Sequence, residues 1–260
     1  MRFDIAGRTF LIDPYFSRIR RLKAAIGAIL PDRAAVAAAL PAVTSVSAII
    51  VGHTHFDHAL DVPLIAAQSG ATVVGSRSLD TLMALSGLPG RTQVCRGGET
   101  VGLGPDAAVQ MLPSAHGLAV MGKAPFGGEI RASGRFPMRA AGYRAGIVFA
   151  PLLRLRDRTF LHIGSANFIA AALAGRSCDV LFLCVPGWKR AEGYPGQVIT
   201  LTRPQTVVLF HYDDFCAPIP PRGGPKRLPL LDMARLADRI RRHAPGIELL
   251  MPEVGARMVF

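Results

Sequence analysis

Acidic residues, cysteine and tryptophan are scarce in this chain, and long uninterrupted apolar runs are missing. Eighteen Asp and Glu stand against 30 Lys and Arg among 260 residues, leaving a net charge of +12. Half of the residues are nevertheless apolar and only 18% are charged, which excludes intrinsic disorder and supplies a sizeable core. The four cysteines (Cys95, Cys178, Cys184, Cys216) form no CxxC and no dense pattern, so a zinc ribbon and a disulfide scaffold are excluded and reduced structural thiols are expected. No stretch reaches the roughly 18 continuous apolar residues of a membrane span. The nearest, Ala24 to Ala42, is broken by Pro31, Asp32 and Arg33. The opening MRFDIAGRTF has no apolar signal core, and the expectation is a cytoplasmic protein. Nothing reads as a long Ser/Gly or charged linker, so one domain over residues 1–260 is expected, with a homo-oligomer open.

What is present alternates. Arg2 to Ile5 and Thr9 to Ile12 read as a hairpin, Ser17 to Leu40 as helix interrupted at Pro31, and Ser47 to Val51 as a buried strand. Asp61 with Pro63 predicts a helix cap for a helix through Gln68, followed by strand Ala71 to Val74 and helix Ser78 to Leu85. Strands fit Ala107 to Leu112, Gly146 to Ala150, Thr159 to Ile163, Val180 to Val185, Thr206 to Phe210 and Ile247 to Leu250. Helices fit Gln197 to Thr202 and Leu230 to His243, and Phe215 to Pro229 reads as a surface loop. The pattern is that of an α/β or layered α+β protein without internal repeats. Charge is uneven: Gly117 to Phe160 holds eight basic residues against Glu129 and Asp157, a local excess of six. Such a stretch suits an anionic substrate, a phosphate surface or simply a solvated face.

The chemistry concentrates in His53-Thr54-His55-Phe56-Asp57-His58, directly after an apolar strand. On an extended segment His53 and His55 point the same way, because side chains alternate with a period of two, so one ion can be gripped by both. Asp57 and His58 follow as the chain turns into a helix, where they can face a second ion. Imidazoles beside a carboxylate suit zinc and its first-row neighbours, with manganese and iron open. Of the remaining histidines, His116, His162 and His211 lie in or after predicted strands, where a sandwich collects site residues, whereas His243 suits a helix C-terminus.

HTHFDH resembles the HxHxDH signature of the metallo-β-lactamase-fold hydrolases, and SAHG at His116, LHIGSAN at 161–167 and LFHYDDF at 209–215 match the family in order. Within that family the chain is similar to the branch of ascorbate-phosphate lactonase and N-acyl phosphatidylethanolamine phospholipase D. The resemblance implies a four-layer αββα sandwich of the α+β class with metals at one edge. Carried over, it makes His53, His55 and His116 ligands of a first metal and Asp57, His58 and His211 ligands of a second. It implies hydrolysis by hydroxide formed on the metal, with Asp57 as the catalytic residue that orients it. His162, Asp13 and Tyr212 are candidate supporting groups around the ligands.

Two departures stand out. Most relatives have a bridging aspartate in a Gly-Asp-Thr stretch, and Ser165 occupies that position here. This leaves a binuclear site without the carboxylate bridge, a mononuclear enzyme or a decayed site. Relatives also carry an extra strand before the hairpin, so its absence reads as a misassigned start or a missing edge strand. Asp179 is either a turn residue or a substitute carboxylate for the second metal. The insertion at about 117–144 is the expected specificity loop, with Arg131, Arg135 and Arg144 for an anionic group and Phe126 for apolar contact. The leading expectation is a hydrolase of an ester, lactone or phosphodiester, on an anionic or lipid-like small molecule. The rivals are a nuclease or nucleic-acid phosphodiesterase, motivated by the charge but lacking an aromatic-interleaved basic motif, and a non-catalytic binding protein disabled at Ser165. β-Lactam hydrolysis enters only as a side activity.

Overall fold

The computed structural model describes residues 1–118, 122–219, 224–229 and 231–260. The first half contains β1 (Arg2–Ile5), β2 (Arg8–Ile12), α1 (Arg21–Ile26), β3 (Ala28–Ile29), α2 (Arg33–Ala39), β4 (Val46–Ile50), α3 (Phe56–Ala59), α4 (Val62–Ser69), β5 (Thr72–Gly75), α5 (Arg77–Leu85) and β6 (Thr92–Val94). The second contains β7 (Thr100–Gly102), β8 (Ala107–Pro113), β9 (Met138–Arg139), β10 (Phe149–Leu155), β11 (Arg158–Ile163), α6 (Ala170–Leu173), β12 (Val180–Cys184), α7 (Gly196–Thr202), β13 (Thr206–Phe210), α8 (Met233–His243) and β14 (Glu248–Leu250). Two sheets result, in the orders β1-β2-β4-β5-β6 and β14-β13-β12-β11-β10-β8-β7, beside a small β3-β9 pair.

Period-two alternation along the strands builds the layers. In β4 and β2, Ala48, Ile50, Phe10 and Ile12 face the second sheet, where they meet Val109, Met111, Phe149, Phe160, Phe182 and Val208. The intervening Leu11 and Ile49 face the opposite way and pack under α2, α4 and α5 through Val36, Ile65, Leu79 and Leu82. On the far side, Leu161, Leu181, Leu183, Val207 and Leu209 pack under α6, α7 and α8 through Leu173, Val198, Leu236 and Ile240. Three apolar interfaces therefore separate four layers, helices–sheet–sheet–helices, as expected of the αββα sandwich. Burial of this kind is the main stabilising term, on the order of 1.5–3 kcal/mol for each fully buried aliphatic side chain.

Several expectations need correction. Ser17 to Leu40 is not a broken helix: helix covers Arg21–Ile26 and Arg33–Ala39, and Ala28–Ile29 is a strand. The segment before α1 is held extended because Asp61 accepts hydrogen bonds from the Phe16 and Ser17 N–H groups (2.5 and 3.0 Å). Asp61 stands at the N-cap position of α4 as expected, with Pro63 in the first turn, but its side chain makes no capping hydrogen bond to the helix. The strand expected from Gly146 starts at Phe149, since Gly146 has a left-handed φ of 64° that ends any extended run. Part of the expected 215–229 loop, part of the 117–144 insertion and Leu230 lie outside the described residues. All four cysteines are free. Among the described residues no helix is long and apolar enough to cross a membrane.

Candidate metal centre

Five strands end at one edge, and each delivers a site residue within three positions of its end: Asp13 after β2, His53 after β4, His116 after β8, Ser165 after β11 and His211 after β13. Gly52 links β4 to the histidine run. Its N–H donates to Asp13 Oδ1 at 2.7 Å. A Cβ there would lie 3.2 Å from the Phe149 carbonyl and 3.3 Å from Asp13 Oδ2, which explains the glycine. Between the two histidines, the Thr54 N–H donates to the Ala145 carbonyl at 3.0 Å and its hydroxyl donates to the Arg144 carbonyl. With Thr54 tied to one side, His53 and His55 both project to the other. Asp57 and His58 ride on α3, a single turn of their own rather than the start of the following helix.

These elements assemble two triads. One ligand atom each from His53, His55 and His116 lie within 4.8 Å of one another, as do atoms from Asp57, His58 and His211. A third such group, Asp13, His53 and His58, connects them. In the second triad Asp57 Oδ2 is 3.2 Å from His211 Nε2 and 3.5 Å from His58 Nε2. His58 Nδ1 lies 2.8 Å from Asp13 Oδ2, and His162 Nε2 approaches the same oxygen at 3.1 Å. Asp13 can only accept, so His58 Nδ1 carries a proton toward it.

Burial raises the affinity of Asp13 and Asp57 for protons, but the neighbouring histidines outweigh it. His58 and His162 hold Asp13 well below the ordinary carboxylate range, and His58, His211 and His55 do the same for Asp57. Burial dominates at the imidazoles of the first triad: His53 falls well below its ordinary value, His55 falls to about 4, and His116 is lowered. His58 moves the other way, since attraction to Asp13 and Asp57 exceeds its burial penalty.

The donor set fits a divalent cation. Three neutral imidazoles meet at one point, and the buried His53 Nε2 has no hydrogen-bond partner among the described residues. At the other point the Asp57 carboxylate stands 3.2 and 3.5 Å from the Nε2 atoms of His211 and His58, a mixed oxygen and nitrogen donor set suited to a divalent cation.

All six histidine and aspartate positions expected as ligands thus converge. Asp13 adjoins them through His58, and His162 approaches the same Asp13 oxygen. Ser165 does not project as a bridge between the triads: its Oγ accepts from the Gly117 N–H at 2.8 Å, bracing the loop that carries His116. Tyr212 is near but committed elsewhere, its hydroxyl donating to the Pro252 carbonyl at 2.6 Å. Phe126 comes to the site, its ring 6.2 Å from that of His55, whose Nε2 lies 3.1 Å from the Pro125 carbonyl. Arg131, Arg135 and Arg144 line a separate hollow of about 260 Å³ that contains none of the ligand candidates. Asp179 takes the turn role, accepting from the Thr159 N–H and hydroxyl at 2.7 Å each, at the strand ends away from the site.

One residue was not foreseen. Arg18, half-buried with a left-handed φ of 46°, donates to the Ala217 carbonyl (2.6 Å), to Asp213 Oδ2 (2.6 Å) and to the Asp214 carbonyl (2.7 Å). It clamps the segment after Asp13 to the segment after His211. No sequence signal marks it, because its partners are nearly 200 positions away.

No protein-family model matches the chain, and no curated protein matches its sequence. Solved structures do resemble it. Igni18, described as a novel metallo hydrolase from the hyperthermophilic archaeon Ignicoccus hospitalis, superposes with a TM-score of 0.60 at 14% identity, over 100% of this chain and 93% of that one. The isothiocyanate hydrolase from Delia radicum gut bacteria gives 0.59 at 17% identity, over 100% and 95%. YhfI of Bacillus subtilis, a metallo-β-lactamase fold protein, gives 0.56 at 11% identity, over 98% and 89%. The chain has the metallo-β-lactamase fold.

Proposed function

We propose that the chain is a metal-dependent hydrolase of an ester, lactone or phosphodiester on an anionic or lipid-like small molecule. The observation that carries this reading is the convergence of two triads from three separate chain segments, the run 53–58 and the positions 116 and 211, each triad with ligand atoms within 4.8 Å. A fold does not name a reaction, whereas these donors define what the site can bind. The similar structures described as a metallo hydrolase and an isothiocyanate hydrolase support the same reaction class.

In this reading residues 1–260 act as one catalytic domain. His53, His55 and His116 hold the first ion and Asp57, His58 and His211 the second, with zinc as the suited metal and manganese or iron open. A bound divalent ion supplies Lewis acidity and lowers the pKa of coordinated water from 15.7 toward about 7. Asp57 accepts a hydrogen bond from the attacking water and fixes its direction. Asp13 keeps the His58 proton on Nδ1, so that Nε2 stays available as a donor atom. Phe126, beside His55, walls the substrate, and Ser165 sets the position of His116 through the Gly117 N–H.

A panel of aryl esters, lactones and aryl phosphodiesters, assayed with metal-loaded protein, tests the reading. Turnover of at least one class is expected, abolished by chelator and by His116→Ala. Stoichiometric metal without turnover of any class overturns it. Ser165 supports one second reading, a non-catalytic binding protein, for which His116→Ala alters no activity.

A further inference from the structure

The segment from Pro14 to Pro31 contains no acidic residue and carries Arg18, Arg20, Arg21 and Lys23. Arg18 and Arg21 are paired with Asp213 and Asp214, whereas Arg20 and Lys23 have no carboxylate partner among the described residues. Its helix α1 buries none of its residues. Leu22 is 72% exposed, Ile26 65% and Leu30 48%. A helix of six residues is not held by its own propensity, and aliphatic side chains turned to water at this level mark a contact surface. Arg139 extends the basic character, since β9 pairs with β3 and sets Arg139 opposite Ala28.

The same segment walls a cleft of about 2090 Å³, whose lining includes Ile19, Arg20, Lys23 and Leu30 as well as Asp57, His58 and His211. We infer that this face docks on a lipid surface carrying anionic headgroups, with Leu22, Ile26 and Leu30 entering the apolar boundary and Arg20, Lys23 and Arg139 meeting the headgroups. The combination selects the occupant. A second copy packed about a two-fold axis would set these unpaired cations against themselves. A nucleic acid would satisfy the cations but leave three aliphatic side chains against a polar backbone, with no aromatic residue in α1 for base stacking. The docking follows from the surface alone. That the cleft then takes up a lipid-like ester or phosphodiester rests on the hydrolase reading.

Sedimentation with vesicles of phosphatidylcholine alone, or with about a third phosphatidylserine, tests the docking on the full chain. Wild type is expected to sediment with the anionic vesicles and to stay in solution with the neutral ones. Leu22→Asp with Ile26→Asp, and separately Arg20→Glu with Lys23→Glu, should each lower the bound fraction at least tenfold, while Met251→Asp, an exposed apolar position outside both the segment and the cleft, leaves it unchanged. Metal content and far-ultraviolet circular dichroism of the same samples show that the variants are folded and the metal centre intact. No binding to anionic vesicles, binding unaffected by both double variants, or a dimer that the Leu22 and Ile26 changes dissociate overturns the inference. Vesicle binding with an inactive metal centre would leave the docking standing and remove the hydrolase reading.

Discussion

Ser165 Oγ accepts the Gly117 N–H at 2.8 Å, one residue after His116. The position that would carry a bridging carboxylate is instead used to brace a ligand loop, and the two triads share no carboxylate of their own. Ser165→Ala leaves the buried Gly117 N–H unpaired, which costs about 1–3 kcal/mol. The expected outcome is a lower unfolding midpoint in denaturant together with weaker metal binding at the first triad. An unchanged midpoint and unchanged affinity would remove the bracing role.

Asp13 is gripped by Gly52, His58 and His162 at 2.7, 2.8 and 3.1 Å. Asp13→Asn keeps the size but removes the charge that holds the His58 proton on Nδ1. Metal affinity at the second triad should fall about 10–100-fold, the usual effect of losing a partner that orients a ligand. Isothermal titration of the metal-free protein measures it.

Arg18 and Asp213 are each 11% exposed and 2.6 Å apart. Arg18→Ala leaves Asp213 buried and unpaired and should cost on the order of 3–5 kcal/mol. It should also weaken the second triad by releasing the segment after His211. Removing Arg77, whose pair with Asp80 is exposed, should change stability by less than about 1 kcal/mol. Denaturant titration of both variants makes the comparison.

The metal-free protein should lose stability in mild acid. His53, His55, His116 and His162 are all held below the ordinary histidine value of 6.5 by burial. The unfolded chain therefore binds protons that the folded chain refuses, and stability present above pH 6.5 is lost as pH falls toward the folded values. For His55, with its value near 4, that loss is on the order of 3 kcal/mol across the interval. His58, raised instead, contributes stability below pH 6.5 that is lost as pH rises, and so offsets part of the fall. A thermal unfolding series from pH 7.5 to about 4.5 should show a falling midpoint. A flat or rising midpoint contradicts the buried neutral histidines.

The ligand run was legible because histidines are few and three of the seven fall within six residues after a β-branched strand. His116, His162 and His211 were legible as strand-end residues once the strands were placed. What escaped was non-local. Asp61 looks like a cap for its own helix, yet its carboxylate reaches back 45 positions to Phe16. Arg18 looks like a surface arginine until Asp213 is brought beside it. The strands Thr92–Val94 and Thr100–Gly102 are three residues each, too short for alternation to register. The arginines of the insertion were expected at the substrate, but charge count alone does not say which way a loop faces, and they line a hollow of their own.

The central claim is that these donors hold metal, and elemental analysis of the chain purified without chelator tests it most directly. The account predicts about one equivalent or more in wild type, an increase in Ser165→Asp, where a carboxylate is added beside the loop that carries His116, and a loss in His116→Ala. Metal far below stoichiometric in wild type and in Ser165→Asp alike would contradict it.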